Sequence, residues 1–146
     1  MKMQIVAYDR GPLKISDTIK KEEINFENVE VKISMLLKYN TDGGFLGAQM
    51  TINFVKDGGA DIAEIGMMFT TYVEGWNEFV QKKPNEDEII AFLKENGAFF
   101  GGILTATNAV VMERCVGTIA DRFFVPCTMD VDEFVANAVK ILKAEE

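Results

Sequence analysis

The segment from Asn96 to Met112 contains no Asp, Glu, Lys or Arg. Its pattern predicts a long apolar helix between about Gly102 and Arg122. A helix with so little charge cannot lie on an ordinary water-facing surface, so it must be buried, form a subunit interface or line a groove for apolar guests. It is too short and too rich in Gly, Thr and Asn to cross a bilayer, which takes roughly 20 apolar residues. The central question about this chain is therefore what its apolar surface binds.

Length and charge narrow the class of protein. The 146 residues, of which 48% are hydrophobic and 26% charged, predict one globular domain over residues 1–146. A net charge of −8 argues against nucleic acid and anionic membranes as partners, because phosphate binding needs clustered Lys and Arg. The opening residues, Met1 to Asp9, are too few and too soon charged for a signal peptide, so we expect a cytoplasmic protein without direct membrane insertion.

The chain lacks the residue type and the loop motif that most often indicate catalysis or nucleotide binding. The chain has no His, which removes the commonest general base and metal ligand. The glycine pairs Gly43-Gly44, Gly58-Gly59 and Gly101-Gly102 lack the spacing of a phosphate-binding loop. Carboxylate pairs are plentiful, but any acidic protein has them by chance. We therefore expect no enzyme, no cofactor and no metal site.

Strand patterns occupy the first half of the chain. Residues 29–39 and 46–54 alternate between apolar and polar side chains, which predicts half-buried strands. Asp42-Gly43-Gly44 and Asp57-Gly58-Gly59 follow them as turns, and another strand is predicted from about Asp61 to Trp76. With a weaker strand over residues 13–26, the prediction is a four-stranded antiparallel sheet with meander connections.

The strand after the second turn is apolar on both faces. One face carries Ile65, Met67, Phe69 and Val73, and the other carries Ile62, Met68 and Tyr72. A sheet with one wet side would not show this pattern. Two interpretations stay open: helices cover one face and a neighbouring subunit the other, or part of the second face receives a ligand.

Helices are predicted in the second half. Asn85 and the acids after it mark the start of a helix that ends near Asn96. Asp130 is predicted to cap a last helix, with Glu133 completing a capping box. The apolar stripe of that helix consists of Val131, Phe134, Val135, Ala138 and Leu142. Strands followed by helices indicate an α+β fold with helices on one face of the sheet.

Several short motifs, in order and at similar spacing, resemble those of the protein-export chaperone family SecB. They are Glu23-Ile24-Asn25-Phe26-Glu27, Glu30-Val31-Lys32-Ile33, Glu64-Ile65 with Tyr72, Val73 and Gly75, Gly97-Ala98-Phe99 with Ile103-Leu104, and Asp132-Glu133-Phe134. The resemblance covers nearly all of the chain after about Ile19. It implies a sheet packed against two main helices, a homotetramer built as a dimer of dimers, and an ATP-independent holdase that binds non-native polypeptides in apolar grooves. It also implies delivery of precursors to the motor SecA, with Glu23, Glu27, Ile62 and Glu64 at the positions that match the contact site.

The chain also departs from that family. Thr105 to Val110 replaces the proline, arginine and glutamate near the start of the long helix, and the connector Phe123-Phe124-Val125-Pro126-Cys127 differs. The flexible tail that many members use to touch SecA is not seen after Lys143. These differences bear on the partner more than on the fold.

The density of aromatic and Met side chains near helix starts and loops predicts a client groove. Its predicted members are Phe99, Phe100, Phe123, Phe124, Met129, Met67 and Trp76. A subunit contact is predicted at Ala106, Ala109, Val110 and Val116, where small residues permit close helix approach. The alternative function is a small-molecule or lipid-binding protein whose cavity lies between the long helix and the sheet.

Overall fold

The computed structural model describes residues 2–15, 29–39, 44–56, 60–95, 99–115 and 131–143. The elements in chain order are β1 (Met3–Ile15), β2 (Val29–Tyr39), β3 (Phe45–Lys56), β4 (Ala60–Val73), α1 (Trp76–Gln81), α2 (Glu86–Glu95), α3 (Phe99–Cys115), α4 (Val131–Ala138) and β5 (Val139–Lys143). The fold is α+β, as the order of strand and helix patterns predicted.

The centre of the sheet follows from the alternating sequence pattern. β2 pairs antiparallel with β3, and β3 pairs antiparallel with β4, so two consecutive hairpins are confirmed. Met35 lies opposite Met50, which lies opposite Met67, and all three side chains are buried. A shift of one residue in this register would turn the whole apolar set to the other face, so burial fixes the pairing. The predicted turn residues Asp42, Gly43 and 57–59 lie outside the described part of the chain.

The prediction of a four-stranded antiparallel meander is wrong. The sheet is mixed and has five strands in the order β1-β4-β3-β2-β5. β1 lies antiparallel beside β4, which gives the first four strands a Greek-key order, and β5 lies parallel to β2. Local patterns predict that strands exist, but the choice of neighbour at a sheet edge depends on contacts between distant parts of the chain.

The first strand begins earlier than the sequence suggested. β1 covers Met3–Ile15 and so contains the first three residues of the predicted strand over 13–26, whose remaining residues lie outside the described ranges. Its register against β4 shifts between Ile5 and Ala7 and again between Arg10 and Leu13. Each shift inserts a bulge that breaks the period of two, which explains why the strand was missed.

The end of β4 is set by a glycine. The strand stops at Val73, not at Trp76, and Gly75 adopts a φ of +82° before α1 begins. That left-handed conformation costs glycine little because it has no Cβ. Helix α1 was not predicted, since its six residues are too few to show a helical period.

The start of α2 is confirmed at the predicted cap. Asn85 Oδ1 accepts a hydrogen bond from the Glu88 amide at 2.8 Å, and Glu88 Oε1 accepts one from the Asn85 amide at 3.4 Å. This reciprocal arrangement satisfies amides that have no partner within the helix.

Two other helix boundaries differ from the prediction. α3 begins at Phe99 instead of Gly102, while residues 116–130, with the predicted Asp130 cap, lie outside the described ranges. The last helix was predicted to reach Leu142, but α4 ends at Ala138 and β5 follows directly. Pairing with β2 overrides a stripe that fits helical spacing equally well.

The core lies on one face of the sheet, and the helices cover it, as predicted. Phe99, Phe100, Ile103 and Val111 of α3 join the buried side chains of the sheet in one apolar cluster. An exposed ion pair between Arg10 and Glu113, at 3.1 Å, also links β1 to α3. The described helices do not cover the opposite face of the sheet.

Candidate functional site

The sheet face opposite the core has an apolar area, which we name the open sheet face. Its members are Leu36, Phe45, Met68 and Tyr72, of which Phe45 is 53% and Tyr72 43% exposed. Phe45 lies opposite Tyr72 across β3 and β4, and Gln49 lies opposite both Leu36 and Met68. Gly47 leaves room for Met68, whose sulfur lies 3.4 Å from the position a Cβ would take. The four side chains therefore share one side of three adjacent strands, with the polar residues Gln49 and Thr70 between them.

The sequence explains why this face is apolar in one place only. Along β3 the inward positions are Leu46, Ala48, Met50 and Ile52, so Phe45 is one residue out of phase and must point outward. Farther along the strand the outward positions are Thr51 and Asn53, which are polar. Phe45 was not predicted as a site residue, although its phase was readable from the sequence. Met68 and Tyr72 lie on the second face of β4, as predicted.

A second surface lies between α1 and α2, and we name it the aromatic groove. The rings of Phe79 and Phe92 stack with centroids 4.2 Å apart and planes inclined by 8°. They line an open groove of about 650 Å³. Its remaining lining includes the acidic side chains Glu78, Glu88 and Glu95 with Lys82. The two rings lie on different helices, so no pattern within one segment could have revealed the pair.

Trp76 lies behind the aromatic groove. Its ring contacts Phe79 and Phe92 at centroid distances of 5.9 and 6.0 Å and meets Tyr39 edge-on at 5.5 Å. The side chain is fully buried, and its Nε1 has no hydrogen-bond partner among the described residues. Trp76 therefore supports the groove from the core side and offers no surface of its own.

The predicted client groove is not assembled from the residues the sequence suggested. Trp76 and Phe99 are 0% exposed, Phe100 is 2% and Met67 is 3%, and all four belong to the core cluster. In this conformation they cannot touch an external polypeptide. Phe123, Phe124 and Met129 lie outside the described residues. The aromatic density that suggested a groove is, for these four side chains, the density of a packed core.

The predicted SecA-contact residues also differ in whether they are accessible at the surface. Glu64 is exposed and shares the outer side of β4 with Met68 and Tyr72. The register between β3 and β4 shifts between Phe54 and Val55, which interrupts the alternation of inward and outward side chains in β4. Two consecutive residues of β4, Ile62 and Ala63, are therefore both buried, and Ile62 is 1% exposed. Ile62 is therefore not available to a partner in this conformation. Glu23 and Glu27 lie outside the described ranges.

The outer surface of helix α3 carries no charged residue before Glu113. Ala109 is exposed, while Leu104, Met112 and two residues of the predicted subunit contact, Ala106 and Val110, are half-buried. The Thr105 hydroxyl donates a 2.8 Å hydrogen bond to the Gly101 carbonyl of the same helix, so it needs no outside partner. Val116 lies outside the described residues.

The described residues offer little support for other kinds of site. The layer between α3 and the sheet is filled by Phe99, Phe100, Ile103, Thr107 and Val111, each at most 2% exposed. Within the described ranges no three His, Cys, Asp or Glu side chains are grouped to hold a metal ion. No single helix there is both long and apolar enough to cross a membrane. Glu86–Glu95 and Phe99–Glu113 reach that length and composition only as a pair, inclined by 79°.

Comparison with known proteins adds no family. No protein-family model matches the chain, and no curated protein matches it either. The likeness to SecB therefore rests on the short motifs alone.

Proposed function

We propose that this protein is an ATP-independent holdase that binds non-native polypeptides on apolar surfaces, as the resemblance to SecB implies. The open sheet face is the observation that carries the proposal. A chain with 23 acidic and 15 basic residues has ample charge to cover its surface. It nevertheless leaves two aromatic side chains opposite each other and about half exposed, where a monomer gains only the modest stability of a cross-strand pair.

The physical requirement of a holdase is apolar area that stays accessible without a bound nucleotide. The open sheet face and the aromatic groove supply two such areas, on the sheet and on the α1–α2 pair. Half-buried Met68 adds a flexible side chain that adapts to different shapes. These surfaces replace the buried Phe99, Phe100, Met67 and Trp76 as the proposed client contacts. The proposal involves no cofactor and no catalytic step.

The small-molecule or lipid-binding alternative is less well supported. It needs a cavity between the long helix and the sheet, but the described part of that layer is packed with side chains that are almost completely buried. A ligand of the size of a lipid would have to displace them, at a cost comparable to opening a core cavity.

The test of the holdase proposal is suppression of aggregation. A chemically unfolded client is diluted into buffer with and without equimolar protein, in the absence of nucleotide, and light scattering is followed. We expect the scattering to fall in proportion to the protein added. The same purified protein is extracted with organic solvent for mass spectrometry. A retained apolar ligand together with unchanged client scattering would favour the alternative and overturn the holdase.

The proposal includes assembly as a dimer of dimers, with the outer surface of α3 in a subunit contact. The support is that this surface has no charged residue before Glu113 and carries Leu104 and Met112 beside the small residues Ala106 and Ala109. Light scattering coupled to size exclusion gives the mass directly. A monomer at all concentrations would exclude the tetramer.

The proposal also includes SecA as a recipient of the client, with Glu64 as an exposed acidic residue on the same side of the sheet as the open sheet face. An exposed carboxylate mainly speeds encounter with a basic surface and is screened by salt. We expect SecA binding at low salt that weakens at moderate salt and falls further in Glu64→Lys. Glu86→Lys, a charge reversal on α2, which packs on the other side of the sheet, is the control. Failure of the parent to bind at low salt would remove SecA and leave the holdase proposal standing.

A further inference from the structure

The C-terminal strand occupies only part of the edge of β2. Five residues, Val139–Lys143, pair in parallel with Met35–Tyr39. β2 has 11 residues, so the stretch from Val29 to Ser34 has no strand partner on this side among the described residues. An unpaired strand edge offers a row of amide and carbonyl groups to any extended chain that reaches it.

The side chains of β5 show what this edge accepts. Val139 lies opposite Met35 and Ile141 opposite Leu37, and both are half-buried against the core cluster. Lys140, between them, lies opposite Leu36 on the other face and is exposed. The seated segment is thus an extended chain with apolar residues at alternate positions. That arrangement is how a sheet edge recognises a peptide strand.

Phe134 and Val135 of α4 anchor the α4–β5 unit in the core cluster, but the pairing of β5 itself is weak. The pairing is short, lies at an edge and is parallel, which is less stable per residue than antiparallel pairing. A space of about 310 Å³ separates α2 from this unit, with Ile90, Val135, Val139 and Ile141 in its lining. The ion pair between Lys94 and Asp132, at 3.4 Å, is exposed and contributes little. Elements held in this way open at lower free energy than the core.

We propose that the edge of β2 is a docking site for an extended apolar segment of a non-native polypeptide, and that β5 is the chain's own occupant of that site. Release of β5 frees the backbone of Met35–Tyr39 and joins it to the stretch from Val29 to Ser34, for which the described part of the chain supplies no strand partner on this side. It also uncovers the inward side of Met35 and Leu37. The identity of the occupant as a client rests on the proposed holdase function, whereas the existence of the docking site does not.

A reversible cross-link tests the site without removing any element. Leu36 and Lys140 are register neighbours on adjacent strands, whose spacing of about 4.8 Å falls within the Cα range of disulfides. Leu36→Cys with Lys140→Cys, in a Cys115→Ser, Cys127→Ser background, pins β5 when oxidised and frees it when reduced. The background protein, treated with the same oxidant and reductant, is the control, and circular dichroism verifies that both forms are folded.

The probe is a fluorescein-labelled peptide with the sequence of residues 136–146, and the readout is anisotropy. We expect the reduced form to bind it and the oxidised form to bind about tenfold more weakly or worse, because affinity falls with the fraction of open sites. Equal binding by the two forms, or binding by neither, would overturn the docking site. Peptide binding lost on oxidation, with no protection of an aggregating client by the parent protein, would overturn the holdase and leave the docking site in place.

A second variant opens the site instead of closing it. Val139→Asp with Ile141→Asp places two carboxylates against the apolar cluster and unseats β5, whereas Lys140→Asp changes the exposed side of the same strand. We expect the double variant to bind the labelled peptide more tightly than the parent, and Lys140→Asp to bind it as the parent does. Loss of peptide binding in the double variant, with the circular dichroism of the parent retained, would contradict the proposal.

Discussion

Replacing the two aromatic residues of the open sheet face should weaken client binding without weakening the fold. Phe45 and Tyr72 are about half exposed. An aromatic side chain has roughly 200 Å² to bury, so each has about 100 Å² still open to a client. At about 25 cal/mol per Å², each ring can contribute up to about 2.5 kcal/mol to client binding.

The expected change is smaller than this bound. A client segment does not cover both rings completely, and ordering its chain offsets part of the gain. We expect Phe45→Thr with Tyr72→Thr to lower client affinity by about tenfold or more, which corresponds to about 1.4 kcal/mol or more. Thr suits a strand, so the free energy of unfolding should change by less than about 1 kcal/mol.

The assay is a titration of a labelled, permanently unfolded client, with urea unfolding of each variant beside it. Asn53→Thr, on the same face of β3 but outside the apolar area, is the matched control and should bind as the parent does. A double variant with the parent's unfolding midpoint and an affinity within about twofold of the parent would refute the reasoning. The open sheet face would then serve another purpose, such as a subunit contact.

Three further predictions test the rest of the structure. Phe100→Ala should destabilise the fold by about 3–5 kcal/mol in urea unfolding, because it empties a core position; a loss below about 1 kcal/mol would mean that the ring is not packed as described. Gly11→Ala should lower the melting temperature, since the new Cβ would lie 2.5 Å from the Gly66 carbonyl oxygen. Gly102→Ala should lower the melting temperature less, because its Cβ would meet only the flexible end of the Met3 side chain. Equal effects of the two substitutions would contradict the close approach of β1 to β4. Ala109→Glu should reduce the mass measured by light scattering while the protein stays folded, because Ala109 is exposed in the single chain; an unchanged mass would exclude this face from the subunit contact.

The sequence by itself determined the local elements with strong periodicity. The alternation in β2 and β3 determined their existence and their inward faces, because a strand with one buried side can take only one phase. Asn85 and Glu88 fixed the start of α2 through groups that lie within four residues of each other. The second face of β4 was also readable, since Met68 and Tyr72 are apolar residues at outward positions.

Tertiary structure alone decided which strands are neighbours and which aromatic residues are accessible. Whether Val139 and Ile141 continue a helix or pair with β2 depends on an edge about 100 residues away in the chain, where no local pattern reaches. Phe45 and Phe100 are the same residue type, yet one faces solvent and the other is buried, because the helices cover only one face of the sheet. The sequence shows how many apolar residues the chain has. The packing of distant elements decides which of them form the core and which stay exposed at the surface.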